Sequence, residues 1–285
     1  MDKKYIEKLS GTKDPIFNEA VLKVLDDTAR TPDENCINSS REGEEDYIVT
    51  HLQSCRHNTD CLRMALDLLS CDNLSDTSVL DIGTSPLTFI YKLCLDVKFS
   101  TIDLTSLLGK RCVKFGVVHK QCDLLKDSIP FEAESFNICV FTEVMEHLPL
   151  GYDHVFNEIN RILKPDGLLV FSVPNFARVK NRLLAFVGRP VLDPIYKVFH
   201  SGPHGFGHVR TYTMYEVKNL LGHYGFEVFR GASVDPVRYY HRRVNPCLKI
   251  AFVAREAIVF MLPNSRTINA VLCRKQPSKS REIQT

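Results

Sequence analysis

Three short runs gather the residue types that do chemistry. Val79-Leu80-Asp81-Ile82-Gly83-Thr84-Ser85-Pro86-Leu87-Thr88-Phe89 reads as a β-strand passing through a glycine turn into a helix. In doubly wound sheets, ligands bind outside the carboxyl ends of the strands at such turns, and Gly83 is the point of closest backbone approach. Twenty residues on, Asp103 ends a second strand-like run, at the spacing from which a carboxylate accepts hydrogen bonds from ribose hydroxyls. Glu143, Glu146 and His147 form the third group; positions i, i+3 and i+4 share one face if the chain turns helical there.

Strand, turn and acid alone would also suit a dinucleotide. Ser85 and Thr88 occupy the second and third glycine positions of G-x-G-x-x-G, and Pro86 has no amide to donate, so the loop is poorly made for a pyrophosphate. Glu143, Glu146 and His147, with His204 or His208 downstream, have the donor types of a metal site. The plainer reading is a Glu-His pair that orders the turn, and no metal is expected. Ser201–Tyr212 is rich in glycine, histidine and aromatics; a histidine there could accept a proton from a substrate hydroxyl, or His208 could simply tie the loop together. The basic run Arg238–Arg243 reads as an exposed polar loop in preference to an anion clamp.

These residues need elements to carry them. From Ser78, short apolar runs alternate with helical segments, the pattern of a parallel sheet covered on both faces. The strand candidates are Val79–Ile82, Phe99–Asp103, Val113–His119, Phe136–Phe141, Leu168–Val173 and Phe226–Phe229. A helix through Val155–Leu163 is expected to end in a turn at Lys164-Pro165-Asp166-Gly167. Thr213 and Glu216 form a capping-box pair ahead of a helix that Gly225 closes. Upstream, residues 1–30 are helical in spacing, Thr31–Asp46 reads as a polar linker, and Leu62, Ala65, Leu66 and Leu69 make one apolar stripe.

The 285 residues are enough for one large core, and a net charge of +2 does not suggest a strongly basic nucleic-acid binder. The ten cysteines include no C-x-x-C pair and read as reduced thiols. The charged opening Met1-Asp2-Lys3-Lys4 and the lack of an 18-residue apolar run lead to the expectation of a cytoplasmic protein. The interrupted apolar runs at 250–262 are expected to form a buried helix walling the substrate pocket; the alternative is peripheral contact with lipid, together with Arg178–Phe186.

Asp81-Ile82-Gly83, Asp103, Ser135–Leu148 and Leu163–Asn175, in that order, resemble the successive motifs of class I S-adenosylmethionine-dependent methyltransferases, and within them the type 11 group. The resemblance spans about residues 78–230. It implies an α/β fold, Rossmann-like and doubly wound, with a seven-stranded, mostly parallel sheet and an antiparallel last strand, here Thr267–Cys273. The implied organisation is a helical N-terminal extension (1–77), a catalytic domain (78–275) with substrate-side insertions at 174–215 and 233–266, and a polar tail (276–285). The cofactor implied is S-adenosyl-L-methionine, which carries no phosphate. By position, Asp81 and Gly83 would border its methionine end, Asp103 would bind its ribose, and Asp123 and Leu124 would lie at its adenine, with Thr84, Ser85, Leu104 and Thr142 as further cofactor-binding candidates. Thr142 would face the reacting groups, with Glu143, His147, His204 and His208 as catalytic candidates. Leu87 and Asn137 depart from the family pattern; the second is expected to be a surface change. The acceptor expected is a small molecule such as a sugar, lipid-linked or quinone-like compound, with O-methylation favoured over other atoms. RNA 2′-O-methylation with a metal at Glu143, Glu146, His147 and His208 is the rival enzyme, and a non-catalytic binding domain is the rival outside enzymes.

Overall fold

The computed structural model describes residues 6–7, 12–30, 41–69, 76–95, 97–149, 152–192, 207–235, 255–262 and 264–277. Its strands are β1 (Ser78–Ile82), β2 (Lys98–Asp103), β3 (Val118–Gln121), β4 (Phe136–Thr142), β5 (Leu163–Pro174), β6 (Phe226–Val234) and β7 (Ile268–Lys275). They form one sheet in the order β3-β2-β1-β4-β5-β7-β6. β1 to β5 pair in parallel, and β7 runs antiparallel to β5 and β6. This is the Rossmann-like fold with a reversed last strand. Strand order reverses direction between β1 and β4, and ligands bind at the carboxyl ends beside such a switch point.

Helices cover both faces, which is why the central strands are apolar without alternation. Val79 packs with the first layer, α1 (Pro15–Arg30), α3 (Leu52–Leu68) and α4 (Pro86–Cys94), through Phe17, Val24, Leu62, Ala65 and Phe89. Leu80, one residue on, points to the second layer, where α6 (Tyr152–Ile162) and α8 (Met214–His223) contribute Phe156, Ile159, Val217 and Leu221. α2 (Arg41–Thr50), α5 (Gly109–Lys114) and α7 (Val179–Phe186) complete the helices used below. A buried ion pair, Arg111 Nε to Asp27 Oδ2 at 2.9 Å, ties α5 to α1. The seven described cysteines carry free thiols. Among the described residues, no helix is long and apolar enough to cross a membrane.

Several expectations change. Val113–His119 is not one strand: α5 runs to Lys114, Gly116 turns at φ +67°, and β3 begins at Val118. Lys164–Gly167 is not a separate turn but a bulge within β5, where these four residues stand opposite the single residue Asn137 of β4 and Asp166 sits at φ +57°. The end of the polar stretch, from Arg41, is helical, and residues 31–40 lie outside the described residues. Asn137 is a structural tie, its Oδ1 accepting from Ser78 N, Ser78 Oγ and Lys164 Nζ at 2.9–3.1 Å. The helix at 255–261 buries Val259 but leaves Phe260 and Met261 open, so it does not serve as a buried pocket wall. Residues 236–254, including the Arg238–Arg243 run, lie outside the described residues.

Candidate active site

The turn after β1 is fixed by a relay of short side chains. Gly83 has φ +92°, and its N–H donates to Ile102 O of β2 at 2.9 Å. A Cβ there would lie 2.6 Å from Val144 Cγ2, so both backbone and space require glycine. Ser85 caps α4: its Oγ accepts from Leu87 N, and its own N–H donates to Thr88 Oγ1 at 3.0 Å. The Thr88 hydroxyl donates onward to Asp81 Oδ2 at 2.6 Å. Burial pushes the Asp81 carboxyl up to about 7, against the Thr88 bond and with some help from the charge of Asp103.

Asp103 reaches the same turn from β2. Its Oδ2 accepts from Thr84 N at 3.0 Å, and its Oδ1 accepts from Thr105 N and Oγ1 at 2.8 and 3.1 Å. A carboxylate oxygen takes about two hydrogen bonds, so Oδ2 keeps one acceptor position for a ligand hydroxyl. At the tip of β4, Glu143 adopts φ +54°, unusual for a non-glycine residue. Its N–H donates to Ser172 O, and its Oε1 accepts from Ser172 Oγ, both at 2.9 Å. Burial pushes the Glu143 carboxyl up.

Asp81, Gly83, Thr84, Ser85, Asp103, Thr142 and Glu143 line one cavity of about 200 Å³. Leu104, Asp123 and Leu124 do not line it. Asp123 is held instead by Lys126 Nζ at 2.8 Å and Leu125 N at 3.1 Å. Much of the remaining wall, with Tyr91 of α4 and Val144 beside it, comes from the α2–α3 segment, through Tyr47, His51, Ser54 and Asn58. These four recur at i, i+4, i+7 and i+11, a polar stripe that marks one helical face; reading the segment for its apolar stripe passed it over. Burial raises the Tyr47 phenol, and the charge of Glu143 adds to the rise. Leu87, the departure from the family motif, also lines the cavity.

A second group stands beside this one. The 3₁₀ turn Met145–His147 follows Glu143, and Val209 N donates to Glu146 O at 2.7 Å, bringing the downstream loop onto the turn. Tyr212 N donates to Pro174 O at 3.1 Å and anchors the loop to the end of β5. Glu146, His147 and His208 thereby place their ligand atoms within 4.8 Å of one another. Glu146 is 1% exposed and sequence reading gave it only to the rival metal site. Neither histidine lines the cavity, and His204 lies outside the described residues.

The described cavity walls carry three carboxyl groups and no lysine or arginine. That lining matches a cationic ligand with hydroxyls and repels a pyrophosphate. Fold and cavity together fit a class I α/β enzyme with an adenosyl sulfonium cofactor. The family model for a methyltransferase domain matches residues 56–230, and the chain belongs to that family of S-adenosylmethionine-dependent enzymes. A search of curated proteins found no match. Among solved structures, a SAM-dependent methyltransferase from Thermotoga maritima is similar over 82% of this chain and 95% of its own, at 14% identity and TM-score 0.51. A chain from the complex of the Haloferax volcanii Trm112 methyltransferase activator with a methyltransferase is similar over 90% and 98%, at 14% identity and TM-score 0.53. The 4+2 cyclase SpnF shares the fold over 91% and 94%, at 13% identity and TM-score 0.51. These likenesses are of fold.

Proposed function

We propose that the protein transfers the methyl group of S-adenosylmethionine to a hydroxyl of a small-molecule acceptor. The observation that carries this reading is the acid-lined cavity, with Asp81, Asp103 and Glu143 facing one space. In this reading the glycine turn and the α4 N-terminus receive the methionine end of the cofactor, Asp81 among them, and Asp103 Oδ2 accepts from a ribose hydroxyl. Thr142 and Glu143 bound the methyl end. The acceptor enters from the corner between the β4 tip and the 207–212 loop. Glu143 takes the hydroxyl proton, a role favoured over His208 because Glu143 lines the cavity and the histidines face Glu146. The main contribution of the protein is alignment of oxygen, methyl and sulfur, with water excluded by Tyr47 and its helix.

Calorimetric titration with S-adenosylhomocysteine tests the cofactor site, and mass spectrometry of a small-molecule extract incubated with the protein and S-adenosylmethionine tests the acceptor. Saturable binding and a methylated small molecule are expected. Asp103→Ala is expected to weaken cofactor binding about tenfold or more, since a charge-assisted bond contributes about 1.5–3 kcal/mol. Transfer to RNA alone, or no binding at millimolar cofactor, would overturn the reading.

A further inference from the structure

We propose that Glu146, His147 and His208 bind a divalent first-row transition-metal ion beside the methyl-donor cavity. Both carboxylate oxygens of Glu146 are buried and accept no hydrogen bond among the described residues. Buried acids are normally paired or hydrogen-bonded, because removal from water is costly otherwise. His147 Nε2 and His208 Nε2 lie 3.8 and 3.9 Å from Glu146 Oε1. These gaps exceed hydrogen-bond length. They fall inside the limit of about 4.2 Å for two ligands each about 2.1 Å from a shared ion. All three ligand atoms lie within 4.8 Å of one another, and side-chain rotation of the imidazoles, whose centroids are 5.1 Å apart, completes the set.

The donor types narrow the ion. Two imidazoles and one carboxylate suit manganese, iron, cobalt or zinc better than magnesium or calcium, which favour oxygen ligands. Such a triad leaves coordination positions open. The buried Glu146 closes one side, and the histidines, 38% and 43% exposed, open the other. The role of the ion rests on the proposed reading: it binds the acceptor oxygen and makes its proton easier to remove. That proton passes to Glu143, the oxygen forms the new bond to the methyl carbon, and the carbon–sulfur electron pair leaves on sulfur as S-adenosylhomocysteine.

The full chain, stripped with a chelator and dialysed, is titrated calorimetrically with manganese, zinc and magnesium chlorides, and separately with S-adenosylhomocysteine. Saturable binding of one transition-metal ion per chain is expected, with magnesium weaker by about 100-fold or more. His208→Ala and Glu146→Gln are each expected to weaken metal binding by about 100-fold, beyond the effect of changing an outer-shell group, with S-adenosylhomocysteine affinity within about twofold. A thermal midpoint of metal-free Glu146→Gln at or above that of the parent shows that the carboxylate is not kept for structure. Absence of metal binding in a chain that binds S-adenosylhomocysteine overturns the inference, as does unchanged affinity in His208→Ala. Metal binding without cofactor binding overturns the proposed function and leaves the ion site standing.

Discussion

Two groups of acids meet at the carboxyl ends of β1, β2 and β4, and they are held differently. Asp81 and Asp103 accept hydrogen bonds from Thr88, Thr84 and Thr105, so they shape the turn that carries them. Glu146, as buried as Asp81, accepts none through its carboxylate among the described residues. An acid bonded to its own loop keeps its geometry without a ligand, whereas one whose carboxylate accepts no hydrogen bond has more to gain from what binds there. In the proposed reading the methyl-donor cavity is therefore prebuilt, and the neighbouring corner is completed when an ion binds.

The largest expected effect comes from breaking the prebuilt side at Gly83. Alanine there must hold a positive φ, at about 1–2 kcal/mol, and press a methyl group into Val144, at about 1–3 kcal/mol. A stability loss of roughly 2–5 kcal/mol in urea denaturation is expected, with cofactor affinity at least about tenfold weaker by calorimetry. Adding Val144→Ala is expected to recover the packing part and not the backbone part. A Gly83→Ala chain that folds and binds normally would show that the turn is not prebuilt.

Asp81 sharpens the contrast through pH. With a carboxyl raised from 3.8 to about 7 by burial, the folded chain holds a proton between those values that the unfolded chain releases. Stability therefore falls as pH rises through that window and levels off above it, by at most about 4 kcal/mol. The thermal midpoint of the ligand-free protein is expected to be higher at pH 5.5 than at pH 8. Asp81→Asn is expected to remove most of this residue's share of the slope. An unchanged slope in the variant would mean that Asp81 does not titrate as its burial requires.

The same contrast explains what could be read from sequence. That Asp81, Gly83 and Asp103 converge on one cavity was legible because a strand, a turn and the next strand end lie within one local pattern. β-branched density in Val113–His119 imitated a strand, although Gly116, which takes a positive φ, was the residue that divided it. The α2–α3 wall was legible in principle, since Tyr47, His51, Ser54 and Asn58 repeat at helical spacing. The meeting of His208 with Glu146 has no local signature: it depends on a backbone bond from Val209 to Glu146 across some sixty residues of sequence.

The smallest expected effect is at Asp123, the residue that the family pattern would assign to adenine. Its carboxylate is engaged by Lys126 and Leu125 at the protein surface and does not line the cavity. Surface pairs of this kind contribute at most about 1 kcal/mol, so Asp123→Ala is expected to shift S-adenosylhomocysteine affinity by less than about twofold and stability only slightly. Calorimetry on this variant beside Asp103→Ala locates the adenosine end of the cavity. Comparable losses in both would extend it past β2 to the loop after β3, and the prebuilt side would then include an acid already satisfied by a lysine that the cofactor must displace.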